Sequence, residues 1–206
     1  MKIISVQRIK GAMLRISFDN GENIDIDRDT AITYGLCENR CISPDELRKI
    51  CAASDLARAK SRALWYLSRG DYSQKAMLQK LIRAGFEKNV CEQVVDTLLR
   101  LGLINDEAYA ARLAQNLAQH NYSSRQILAK LYEKQIPSEL AKRIVQDTPV
   151  DSAAAIKALI EKKYAAKLKD KAKRQSVFAA LARKGFALSD IRAALREYED
   201  EIFYED

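Results

Sequence analysis

The apolar positions of this chain fall into two regimes. Up to residue 27 they alternate with polar ones, the two-residue period of a half-buried strand. Residues 2–8, Met13–Phe18 and Asn23–Asp27 each read this way, and Asn20-Gly21 between the last two is a strong hairpin signal. A small antiparallel sheet of this size is marginal alone and needs a helix to lean on. The helices follow at once. Asp29 is placed to cap a short helix over residues 30–36. Ser43-Pro44-Asp45-Glu46 joins a serine cap, a proline at the first helical position and a glutamate three residues after the cap, which predicts a helix to about Cys51. Asp55 then caps a further helix to about Arg69.

From residue 72 the helical pattern repeats itself. Leu78, Leu81, Gly85 and Phe86 return fifty residues later as Leu128, Leu131, Gln135 and Ile136, and after another fifty as Phe178, Leu181, Gly185 and Phe186. Tyr72-Ser73 returns once, as Tyr122-Ser123. Two equal steps in phase are the mark of tandem units. Within a unit, Met77, Leu78, Leu81 and Ile82 share one helical face, Ser73 is placed as its cap and Gly85 as its left-handed end. A run Val90, Val94, Val95, Leu98, Leu101 follows, and Ala59, Ala63, Leu64, Leu67 precede it, answered by Tyr109, Leu113, Leu117. Each unit therefore reads as three helices whose apolar residues are core, with neighbouring units packed on one another. Asn105 opens the second unit, Pro137 suits the first position of its third helix, Thr148-Pro149 marks its end and Asp151 caps the third unit. The resulting organisation is a sheet-and-helix module over residues 1–54, three-helix repeats over 55–104, 105–149 and 150–200, and an acidic tail, 201–206.

Composition agrees with a mainly α chain: Gly (7) and Pro (3) are scarce in 206 residues. No apolar run approaches the ~18 residues that span a bilayer, and the N-terminus lacks the apolar length of a secretory signal, so a cytoplasmic protein is expected. The four cysteines lack C-x-x-C spacing and the single His120 is distant from them, so they are expected to be buried or half-buried free thiols with no metal. Phosphate-loop, H-E-x-x-H and G-x-S-x-G patterns are all absent, and one histidine limits acid–base chemistry. The chain is expected to be no enzyme and to need no cofactor.

The charge of +7 is unevenly spread. Residues 1–54 balance eight bases against eight acids, whereas residues 157–174 hold Lys157, Lys162, Lys163, Lys167, Lys169, Lys171, Lys173 and Arg174 against Glu161 and Asp170. Such a face suits a polyanion or an acidic protein, or is simply a solvated surface. Tyr72 and Tyr122 either stack on bases or pack on the adjoining helix.

Leu64-Trp-Tyr-Leu67, Ser73, the run from Leu78 to Phe86, Leu103-Ile-Asn-Asp-Glu-Ala-Tyr-Ala110 and the run from Ile127 to Lys134 together resemble the RecX family of bacterial recombination regulators. The likeness spans about residues 55–200. It departs from the family's usual residues at Ala76-Met77, Ser124 and Gln135. The resemblance implies an elongated, curved array that lies in the groove of the RecA filament on DNA. It also implies blocked filament extension, strand exchange, ATP hydrolysis and co-protease function. The chain's own residues suggest the contacts: Arg62, Arg69, Lys75, Lys80 and Arg83 in the first repeat, Arg125, Lys130 and Lys134 in the second, and Lys163, Lys167, Lys171, Lys173 and Arg174 in the third. A monomer that reaches the RecA filament, and DNA directly as an alternative, is the expectation. A helical adaptor for another protein stands behind it.

Overall fold

Asn20-Gly21 closes its hairpin as its sequence demands: Gly21 takes φ 86° and donates to the Phe18 carbonyl at 3.0 Å. The structure, a computed structural model, describes residues 1–168 and 170–205; for Lys171 and residues 199–205 only the backbone is described. Strands β1 (Ile3–Arg8), β2 (Met13–Phe18) and β3 (Asn23–Asp27) form an antiparallel sheet in chain order. Ile16 pairs with Ile24 and Leu14 with Ile26. One face of the sheet, with Ile3, Ile16, Phe18 and Ile26 buried, packs on Ala31, Leu36, Ile42 and Ile50.

Helix α1 (Arg28–Thr33) follows β3 without a loop, and its cap is Asp27 rather than Asp29. Asp27 accepts from the Thr30 amide at 2.9 Å, and Asp29 falls in the first turn. The strand thus ends on the residue that starts the helix. Ser43 caps α2 (Pro44–Leu67) through the Glu46 amide at 3.1 Å, but Glu46 turns to Arg40 instead of completing a capping box. No break occurs at residues 52–55, where one helix was expected to end and another to begin. Ser54 is buried and its hydroxyl accepts from the Asp27 amide at 3.0 Å, while Asp55 pairs with Arg58 at 3.1 Å. A cap residue needs extended backbone, and here the pull of the sheet on Ser54 and the apolar stripe through Ile50, Ala59 and Ala63 keep the helix intact.

Helices α3 (Gln74–Arg83), α4 (Lys88–Arg100), α5 (Asp106–Gln119), α6 (Ser124–Glu133) and α7 (Ser138–Asp147) come next. They are followed by α8 (Ser152–Leu159), a π-helical turn (Ile160–Tyr164), α9 (Ala165–Leu168), α10 (Lys171–Arg183) and α11 (Leu188–Glu205). The chain divides into two compact units, Met1–Ile104 and Asn105–Asp206.

The repeat is visible in what is buried. Met77, Ile127 and Val177 are buried, as are Leu81, Leu131 and Leu181, then Cys91, Ala141 and Ile191, then Val94, Ile144 and Ala194, each step being fifty residues. These positions form three separate apolar clusters, one per helix triplet. A fully buried leucine or isoleucine contributes roughly 1.5–3 kcal/mol, so each cluster is a small core. Ser73, Asn105 and Asp151 cap the helices they were expected to cap, and Ser123, at the break between α5 and α6, caps α6. Gly85 and Gly185 end α3 and α10 with φ 92° and 87°, and Gln135 takes the same left-handed turn at φ 61°.

Some expected core residues lie outside. Leu64, Ile82 and Leu101 are exposed. Leu64 stands about 100° around the helix from buried Ala63, and Ile82 as far from buried Leu81, so only one residue of each adjacent pair faces inward. The fifty-residue step also slips in the first helix: Ala59 and Ala63 are matched in burial by Ala110 and Ala114, not by Tyr109 and Leu113. Six residues link α2 to α3 and four link α5 to α6, so the phase is set by the linker and not by the repeat.

Candidate partner-binding surface

With the cores assigned, the outward side chains remain. In the first unit a stripe runs along α2 at i, i+4, i+7, i+11: Arg58, Arg62, Trp65 and Arg69, the last just past the helix end. Trp65 is 45% exposed. The Arg69 guanidinium lies 4.1 Å from its ring centroid and that of Arg62 lies 5.7 Å away. Tyr66 meets Trp65 edge-on at 5.3 Å and Tyr72 at 6.3 Å. Lys80 from α3 sits over both tyrosines, at 4.6 and 4.9 Å. Arg62, Arg69 and Lys80 are therefore brought together through aromatic rings, while Lys75 and Arg83 are exposed elsewhere on and beside α3. A cation over an aromatic face is held in place without being neutralised.

Arg58 lies 5.9 Å from the Phe86 ring, and neither it nor Trp65 was among the expected site residues. Their spacing with Arg62 and Arg69 on one helical line was the signal, obscured because α2 was expected to be two helices. Beside this stripe runs a groove of about 540 Å³, walled by Arg28, Arg62 and Trp65 among others.

In the second unit the expected bases are differently employed. The aliphatic stem of Arg125 covers Gly185: a Cβ there would stand 2.6 Å from Arg125 Cβ. Ser123 donates its hydroxyl proton to the Lys184 carbonyl at 2.5 Å, so the start of α6 is fastened to the turn after α10. Lys130 pairs with Glu133 at 2.7 Å, whose hydrogen bond and charge raise its pKa. Lys173 pairs with Asp170 at 3.1 Å, and Arg174 Nε reaches the Leu168 carbonyl at 3.5 Å. Lys134 closes α6 as its C-cap, Lys163 lies in the π-helical turn and Lys167 in α9, the last two exposed. The side chain of Lys171, Lys169 and the side chains of the acidic tail lie outside the described residues. Arg62, Arg69, Lys75, Arg83, Lys163 and Lys167 have no carboxylate partner among the described residues.

Tyr72 and Tyr122 are half-buried against their own repeat cores, which is the packing role. Of the cysteines, Cys91 is buried and Cys51 half-buried, and burial pushes both thiols up; Cys37 and Cys41, expected inside, are exposed on the loop between α1 and α2. No group of histidine, cysteine or carboxylate side chains among the described residues is arranged to hold a metal. Among the same residues, no helix is long and apolar enough to cross a membrane.

Repeated helix triplets around small separate cores, with cations held on the outside, define a helical-repeat protein. The relatives agree. A family profile described as the first three-helix domain of RecX matches residues 59–98, and one for its third three-helix domain matches 150–195. A regulatory protein RecX from Streptococcus mutans is 29% identical over all of this chain and 83% of its own length; one from Streptococcus pneumoniae is 28% identical over 98% of this chain and 79% of its own. The crystal structure of a regulatory protein RecX shares the fold at a TM-score of 0.68 with 23% identity, covering 94% of this chain and 98% of that one. RecX from Lactobacillus salivarius does so at 0.64 and 22%, covering 71% and 98%. Together these matches support a RecX-family regulatory protein.

Proposed function

We propose that this protein binds the RecA filament on DNA and restrains it, limiting filament extension, strand exchange, ATP hydrolysis and co-protease activity. It acts in the cytoplasm, as a monomer, by binding and not by catalysis. The observation that carries the reading is the set of unneutralised cations, Arg62, Arg69, Lys75, Arg83, Lys163 and Lys167, on a scaffold that resembles a regulatory family. Exposed pairs contribute at most ~1 kcal/mol each, so no single base suffices. Many modest contacts spread over successive repeats give avidity towards a polymer whose own subunits repeat.

The test is the ATPase of RecA on single-stranded DNA, titrated with substoichiometric protein. Inhibition together with co-sedimentation on the filament is expected. Full ATPase and no co-sedimentation would sink the reading. Retention on naked DNA, steeply salt-dependent and unchanged by RecA, would instead mark a direct nucleic-acid binder.

A further inference from the structure

The filament reading uses the exposed bases but leaves the groove beside α2 without a task. Its floor is built from small or pliable side chains, Ala12, Met13, Ala57 and Ala84, where longer ones would fill the space. Its walls carry Arg28 and Arg62, and neither has a carboxylate partner among the described residues. Arg58, by contrast, is held by Asp55.

The aromatic side chains of the groove already carry guanidinium groups. Arg69 lies over the Trp65 ring at 4.1 Å, Tyr66 meets it edge-on, and Phe86 carries Arg58 at 5.9 Å. A base stacking on the same face of Trp65 would first have to displace Arg69. What a guanidinium over a ring still offers is its edge of N–H donors, whose spacing fits the two oxygens of a carboxylate. Asp27 and Asp29 also line the groove, on either side of Arg28 in the sequence. Asp27 is occupied as the cap of α1, which leaves the guanidinium groups of Arg28 and Arg62 to meet a ligand.

We propose that this groove binds a short acidic peptide segment of a partner protein, with an apolar anchor on the alanine floor and carboxylates on Arg28 and Arg62. The proposal concerns the first unit alone and needs no DNA, so it can fail while the filament reading holds, and the reverse.

Trp65 is the chain's single tryptophan, so its emission reports the groove directly. The full-length protein is titrated with a synthetic peptide of aspartate and glutamate around a central leucine. Controls are the same peptide with glutamine and asparagine in place of the acids, and an oligothymidylate. A saturable change in Trp65 emission with the acidic peptide alone is expected. It should weaken roughly tenfold, as two lost ionic contacts allow, in the pair Arg28→Glu, Arg62→Glu. Ala84→Leu, at an exposed position at the end of α3, narrows the groove without touching a charge and should weaken binding as well. Melting curves by circular dichroism check that each variant is folded. No saturable change with the acidic peptide overturns the proposal, as does undiminished binding in both variants. Tighter binding of oligothymidylate that displaces the peptide overturns it in favour of nucleic acid.

Discussion

The first and third repeats make the same turn and load it differently. Gly85 ends α3 at φ 92° with nothing near its missing Cβ, while Gly185 ends α10 at φ 87° directly beneath the Arg125 stem. Both glycines are favoured by the backbone, since a left-handed residue with a Cβ is strained. Only the second is also required by packing. The middle repeat shows that the backbone demand alone is tolerable, because Gln135 meets it with a side chain. A repeated sequence position therefore has a common local role, while its tertiary role depends on what lies against it.

The largest effect expected on this comparison is loss of a repeat core. Leu81→Asp and Leu181→Asp each bury a lone carboxylate at an equivalent fully buried position, which should exceed about 4 kcal/mol and unfold the unit concerned. Hydrogen exchange followed by mass spectrometry would show which helices lose protection. Equal loss across both units in either variant would mean that the cores are not separate.

Next come the glycines themselves. Gly85→Ala should lower stability by about 1–2 kcal/mol, the strain alone. Gly185→Ala should lose about 1–3 kcal/mol more, because Arg125 must move. Adding Arg125→Ala should not restore it, since Arg125 Cβ is the nearest atom, at 2.6 Å. Chemical denaturation giving equal losses for the two glycine variants would break the comparison.

Ser123→Ala removes both the cap of α6 and the bond to Lys184, for roughly 1–2 kcal/mol. Replacement by threonine, which keeps the hydroxyl, should recover most of it in the same denaturation assay.

Charge reversals should be smallest in stability and clearest in binding. Lys163→Glu with Lys167→Glu should weaken filament binding and leave the melting temperature unchanged. Arg62→Glu with Arg69→Glu should weaken binding and also lose about 1 kcal/mol, because those guanidinium groups rest on Trp65. Normal co-sedimentation of both pairs would reduce the basic surface to a solvated one.

A pH effect separates the N-terminal module from the repeats. Burial pushes the Asp27 carboxyl up, but hydrogen bonds from Thr30, Ser54 and the Asp29 amide outweigh it and hold its pKa below the usual carboxylate value. A depressed folded-state value stabilises above the unfolded one and is lost as pH falls through it. Asp27→Asn should therefore flatten the acid limb of the unfolding curve below about pH 4, and an unchanged limb would remove Asp27 from that role.

Most of the helical architecture was legible because burial follows period. Leu81, Leu131 and Leu181 were found from spacing alone, and so were the caps at Ser73, Asn105 and Asp151. The candidate surface was less legible. Arg62 and Arg69 could be named as exposed bases, but their assembly with Trp65 and Arg58 depended on α2 being unbroken. That in turn depended on Ser54 bonding to Asp27, a contact across 27 positions of sequence.

The sequence by itself determined the hairpin, the repeated helix cores and the left-handed end at Gly85, because each follows from a local period, a turn signal or the absence of a Cβ. Only the tertiary structure decided which bases are free, which are ion-paired and which serve as packing. Arg125 and Lys75 look alike along the chain, and an exposed cation acquires its role only from whichever ring, carboxylate or turn the fold places against it.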